Sequence, residues 1–301
     1  MSGNDTFAEH YVNIAYGRNL GLDAAQRESR IAVNVEADFS TAETGKSFST
    51  ERLGTSKPQE MGDRFGELPK GFVDKRRRVG HFKPYEDGKV VDSSYDKART
   101  LVMDPASKTI RVMREGLARQ QDEFVMSAML GTAYAGENGT TAVGFPAGQT
   151  IAVNDHTYNS GGSGNVPLTV SKLQVAMEMM DAAEIAGERY IALPSKQINH
   201  LLTDAKVTSS DYNTVKALVA GEIDTFLRFK FIRYEPVLKS GSNFRCVAWV
   251  KPAVEFHQRV LEAPSMWKRR DKRPHWYAYY QMEMAAVRVE EKGVVDILCT
   301  A

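Results

Sequence analysis

The sequence predicts an α+β fold, and three features predict it. One long helical stripe covers residues 106–131, a stretch alternating helix and strand covers 165–265, and a long period-two segment covers 275–297. Ahead of them lie residues 35–100, where large apolar side chains thin out and Gly, Ser, Thr, Lys and Asp dominate. So polar a segment buries no core alone, and a structureless stretch of that length argues against a compact enzyme. It fits an extended arm and loop that gain their burial from neighbouring subunits.

In chain order, residues 5–30 show weak helical spacing, with Phe7, Tyr11, Ile14 and Ala15 on one face. Asp104 and Pro105 then form a helix start, an N-cap followed by a first-turn proline. Ile110, Met113, Leu117, Phe124 and Ala128 recur at helical spacing, while Arg111, Glu115, Arg119 and Glu123 alternate in sign at i,i+4. Residues 136–168 are rich in Gly, Ser, Thr and Asn and read as loop or short hairpin. A second helix is expected over about 170–186, capped by Thr169 and ended by Gly187. Arg189–Leu193 reads as a buried strand, Ser195–Leu202 and Asn213–Val219 as helices, and Phe229–Tyr234 and Cys246–Val250 as strands. From His275 apolar and polar positions alternate in an aromatic-rich strand; Gly293 punctuates it, and VVDIL returns.

Composition narrows the function classes. Lys and Arg total 39 against 38 Asp and Glu, a net charge of +1. That balance supplies no bulk attraction to nucleic acid or to an anionic membrane, and it suits a protein packing against many copies of itself. No run approaches the roughly 18 apolar residues of a membrane span, and the N-terminus lacks a signal pattern. Cys246 and Cys299 match no metal spacing and read as incidental thiols rather than a disulfide.

Catalytic motifs fail on inspection. Gly45-Lys46-Ser47 ends like a phosphate-binding loop, but Ser40 stands where that motif needs glycine. GGSGN at 161–165 fails as a nucleophile elbow, and the six histidines form no HxxxH or HExxH pair. No cofactor or metal site is expected. Two basic clusters remain, Lys75, Arg76, Arg77 and Arg78, and Lys268, Arg269 and Arg270 within KRRDKR. Neither is interleaved with stacking aromatics along the chain. They read as solvated faces or as contacts between subunits, with packaged DNA phosphates a further option.

The block LLTDAKVTSSDYNTVKALVAGEID, Leu201–Asp224, followed by FKFIRYE, resembles the major capsid proteins of tailed bacteriophages, whose fold is named after phage Hong Kong ninety-seven. The resemblance implies an N-terminal arm (1–45), an extended loop (46–102), a peripheral domain with a long spine helix (103–164), a mixed α/β axial domain (165–265) and returning peripheral-domain strands (266–301). It implies a structural, non-enzymatic protein that self-assembles as pentamers and hexamers into an icosahedral head shell around double-stranded DNA. The protein would be made in the host cytoplasm and end in the virion. Its partners would be its own copies, a portal, a decoration protein, the packaged DNA through non-specific contact, and a separate scaffolding protein, since a spine helix starting near residue 106 leaves no room for an internal scaffold. Some relatives crosslink through Lys and Asn, and no local motif marks such a pair here. An encapsulin-type compartment shell is the alternative on the same fold, disfavoured by the Leu201–Asp224 block. A soluble α/β enzyme with a spatially assembled carboxylate site is the alternative of another class.

Overall fold

The computed structural model describes residues 26, 28–39, 45–54, 56–58, 60, 71–93, 105–159, 162–203, 225–269 and 275–300. Its longest helix, α1, spans Pro105–Leu130, one residue from the predicted bounds at each end. Met113 and Phe124 are buried, Leu117 packs beside them, and Arg111 Nε donates to Glu115 Oε1 at 3.1 Å. Burial goes beyond a single stripe. Asp122, Val125, Met126 and Met129 are also buried, because a sheet covers one side of α1 and the segment around Ile31–Val35 joins the same core.

Along the chain, strands β1 (Glu36–Asp38), β2 (Ser47–Leu53), β3 (Lys75–His81) and β4 (Lys83–Ser93) precede α1. Strands β5 (Ala133–Ala135), β6 (Thr141–Val143) and β7 (Thr150–Ile151) lead to α2 (Val170–Ala182), β8 (Arg189–Leu193) and α3 (Ser195–Thr203). Then come β9 (Thr225–Phe226), β10 (Phe229–Arg233), β11 (Lys239–Ser240), β12 (Asn243–Val250), β13 (Val254–Arg269), β14 (His275–Arg288) and β15 (Val294–Cys299).

They form three sheets. A four-stranded sheet has the order β1-β13-β14-β4, with β13 and β14 a long antiparallel hairpin. Ala278, Tyr280, Met282 and Met284 of β14 are buried on the α1 side, where Tyr85 of β4 meets Phe124 edge-on at 5.9 Å. The seven-stranded sheet runs β7-β15-β12-β8-β10-β9, with β11 on β12, and α2 packs on β15. β8 and β12 are fully buried along most of their length, which is why they read as continuous apolar runs. The third sheet, β2-β3-β5-β6, is a two-stranded ribbon rooted on a short hairpin at the end of α1.

Four expectations need correction. β13 has no counterpart among the expected strands, because register shifts at Val260/Glu262 and Glu262/Ser265 break its alternation; it pairs with β14. The returning strand, β15, leaves the β14 layer and pairs with β12 and β7. It is buried on both faces, and Gly293 permits the crossing, since a Cβ there would meet the Ala253 Cβ at 2.4 Å. α2 stops at Ala182, because Glu184 turns left-handed at φ 54° before Gly187 is reached. Of the expected loop 46–102, the part from Lys83 is strand β4, paired with β14, because alternate side chains such as Tyr85 reach the core. The helical spacing at Phe7–Ala15, the Asp104 cap, the helix at Asn213–Val219 and most of the Leu201–Asp224 block lie outside the described residues.

Candidate assembly surfaces

The ribbon carries the first basic cluster. Lys75, Arg76, Arg77 and Arg78 open β3, paired residue for residue with β2 from Leu53 to Thr50. The strands are held at their root by a small core in which Phe48 packs with Ala285, Val287 and Val289. Gly80 is required there: a Cβ on it would lie 2.1 Å from the Phe48 ring. Phe48 also lies against the His257 ring at 4.0 Å, and Thr50 donates to the Glu255 carboxylate. The sequence cue for this root was the pair Phe48 and Val79 in an otherwise polar run, both almost wholly buried.

The four cations do not share one environment. Arg78 pairs tightly with Glu291 inside the same chain. Arg76 is 60% exposed and stands 3.8 Å from Glu290, and Arg77 stands 3.8 Å from Glu51. Exposed pairs of this kind contribute about 0–1 kcal/mol, so their charges remain available to another partner. With Ala135, Gly136 and Glu137 the four residues line an open cleft of about 530 Å³. The Nε atoms of Arg77 and Arg78 are buried there without an acceptor.

Lys268 and Arg269 end β13, in a different sheet from the ribbon, so the structure does not bring the two clusters together. Arg270 lies outside the described residues. Trp267 precedes the cluster on the same strand, and two more aromatics arrive from β14. Trp267 pairs with Tyr277 in register, Tyr279 stands beside both at 6.0 and 6.4 Å, and Arg269 sits over the Tyr277 ring at 5.4 Å.

Three buried polar anchors had no recognisable sequence signal. Asp122 Oδ1 accepts from Ile31 N at 2.9 Å and Ala32 N at 3.1 Å, Oδ2 from Arg30 N at 2.9 Å, and the carboxylate also receives Ser29 Oγ at 2.6 Å and Gln26 Nε2. One carboxylate thus holds the N-terminal segment on α1, and Trp249 Nε1 donates to Asn34 O at 3.0 Å to tie it to β12. Arg288 donates to the carbonyls of Met129 and Gly131 at the end of α1 and to those of Val143 and Gly144. Lys172 donates to Val153, Val166 and Leu298 carbonyls; burial lowers its pKa. Cys246 and Cys299, on adjacent strands, are buried free thiols; the neighbouring Cys299 thiol and then burial push Cys246 well above its ordinary range. No group of three His, Cys, Asp or Glu side chains suited to a metal occurs among the described residues, and no described helix is long and apolar enough to cross a membrane.

A long helix packed on a bulged hairpin sheet, a second α/β sheet and a charged ribbon make up a mixed α/β fold of the Hong Kong ninety-seven type. Solved structures share this fold. The capsid of cyanophage P-SCSP1u superposes with a TM-score of 0.69 at 14% identity, over 96% of this chain and 93% of that one. The capsid of Ralstonia phage GP4 gives 0.68 at 10% identity, over 96% and 95%. The acid-stable capsid of Helicobacter pylori bacteriophage KHP30 gives 0.68 at 9% identity, over 100% and 98%. Residues 9–301 match the family described as phage capsid protein, and the chain belongs to that family. It is a structural major capsid protein of the tailed-phage head shell; the encapsulin-type reading is not favoured. No match was found among curated proteins.

Proposed function

We propose that this chain builds its shell from pentamers and hexamers around double-stranded DNA, and that Lys75, Arg76 and Arg77, with Lys268, Arg269 and Arg270, make contacts between subunits. The observation that carries this reading is the start of β3: Lys75 is exposed, and Arg76 and Arg77 stand 3.8 Å from Glu290 and Glu51, distances that leave their charges available to another partner. The unit of α1 and the four-stranded sheet corresponds to the peripheral domain, and the seven-stranded sheet with α2 and α3 to the axial domain. The family resemblance also supports a portal, a separate scaffolding protein and a decoration protein as partners, synthesis in the host cytoplasm, and a structural rather than catalytic role.

The test replaces Lys75, Arg76 and Arg77 with Gln and leaves Arg78, whose partner is internal. Subunits should melt as wild type does, while electron microscopy should show round particles only for the wild-type chain co-expressed with its assembly factors. Normal particles from the triple variant at low and high salt would show that the cluster is a solvated face. Normal particles that lose only their DNA would place it on the inner wall.

A further inference from the structure

The short hairpin of β5 and β6 pairs with β3 at Arg78 and Val79 and borders the cleft that holds the first basic cluster. Gly139 N donates to Gly136 O at 3.3 Å and closes a four-residue turn with Glu137 and Asn138 at its centre. Gly136 and Glu137 line the cleft with Lys75, Arg76, Arg77 and Arg78. Asn138 is the next residue along the chain and is exposed.

The residue after Asn138 has to be glycine. Gly139 is left-handed at φ 64°, and a Cβ on it would stand 2.8 Å from the Val79 side chain, which is buried at the root of the ribbon. The packing that demands glycine also shapes the chemistry of the turn. With no side chain in the way, the Gly139 nitrogen is open to the neighbouring carboxamide. Asn138 is the one asparagine in the sequence that glycine follows. Its neighbour's N–H is held by a bond longer than the usual length of about 2.9 Å, and a hairpin turn of this size opens locally. The cations of the cleft favour the anion left when that N–H gives up its proton, as a cation favours the charged form of any nearby acid.

We propose that Asn138 is a site of self-modification, at which Gly139 N attacks the side-chain amide and converts the residue to aspartate or isoaspartate. In the first step a bond forms between Gly139 N and Asn138 Cγ, the Cγ–Nδ2 bond breaks, and ammonia leaves with the proton given up by Gly139 N. The product is a cyclic imide. Water then adds to one of its two carbonyl carbons and opens the ring to a carboxylate. One water is consumed and one ammonia released, and no oxidant or reductant takes part. A negative charge thereby appears beside residues that line the basic cleft. Lys75, Arg76 and Arg77 keep charge available for a second subunit, and a carboxylate at position 138 competes for it from within the chain. This consequence rests on the shell reading and deepens it: a free subunit loses competence for assembly as it ages, whereas a subunit already in a shell has its cations engaged.

The experiment holds full-length wild-type subunits in mildly alkaline buffer at physiological temperature and follows every asparagine by peptide mass spectrometry, with enzymatic methylation to count isoaspartate. The mass gain of replacing NH2 by OH is expected at Asn138 ahead of all other asparagines, and the methyl-accepting fraction should be lost in Asn138→Gln chains. Asn138 is not left-handed, so Gln and Asp both fit the turn. Asn138→Gln and Asn138→Asp chains should therefore melt alike, while particle yield by electron microscopy falls for Asn138→Asp alone. An amide retained at Asn138 while other asparagines lose theirs overturns the site, and wild-type shells seen in the same preparations leave the shell reading intact. Conversion at Asn138 with full particle yield from Asn138→Asp overturns the effect on assembly. Conversion at Asn138 without wild-type shells keeps the modification site and overturns the shell reading.

Discussion

Asp122 shows what one residue does here. A fully buried carboxylate is costly unless its lone pairs are filled, and the backbone donors of Arg30, Ile31 and Ala32 fill them. Asp122→Ala leaves those donors unpaired in a closed space, at about 1–3 kcal/mol each and not additively. The variant should melt well below wild type, and the amides of Arg30–Ala32 should lose their protection in hydrogen exchange. Unchanged exchange there would mean the segment is held by other contacts. Tyr234 offers a pH reading. Burial first, then Asp122 and Glu123, raise its pKa from 10.0 to about 12. The neutral phenol is therefore favoured in the folded state. Its contribution is complete below pH 10 and disappears as pH rises towards 12, by about 1.4 kcal/mol for each unit of difference. Wild type should lose more stability over that window than Tyr234→Phe, whereas parallel loss in both would show that Tyr234 ionises as freely as an exposed tyrosine.

Elements owe their placement to the faces they bury. α1 was legible because apolar residues recur every three or four positions and Asp104-Pro105 announces the start. Phe124 is the residue where the helix meets the sheet, 9% exposed, edge-on to Tyr85 and with Lys83 Nζ 5.7 Å from its ring. Phe124→Ala should cost about 3–5 kcal/mol and leave the subunit poorly soluble; normal melting and particle yield would mean that this face is not packed as described. β13 was illegible for the converse reason. Each bulge shifts the alternation by one residue, so no single period runs from Val254 to Arg269, and only pairing with β14 reveals one continuous strand.

At the scale of the whole molecule the chain is divided between parts that carry a core and a part that does not. The two large sheets and α1 share one continuous apolar core; the ribbon beyond Phe48 contributes charged and exposed side chains. Two-stranded ribbons are marginal in water and open locally. Trypsin should therefore cut free subunits at Lys75, Arg76 and Arg77 before the remainder of the chain, and assembled particles should resist at those bonds. Equal cutting rates in the two states would show that the ribbon gains nothing from assembly.

By itself the sequence determined the α+β class, the long helix, the buried strand Arg189–Leu193 and the likeness to a capsid family. All of these rest on local periodicity, composition or residue order, which a linear chain displays. Tertiary structure alone decided that VVDILC crosses to the sheet of β12, that the basic residues at Lys268 gain aromatic neighbours from Tyr277 and Tyr279, and that Asp122 holds residues about ninety positions earlier. Each depends on which distant backbone supplies the partner. Pairing energies follow from contact in space, and the spacing of residues along the chain carries no record of it.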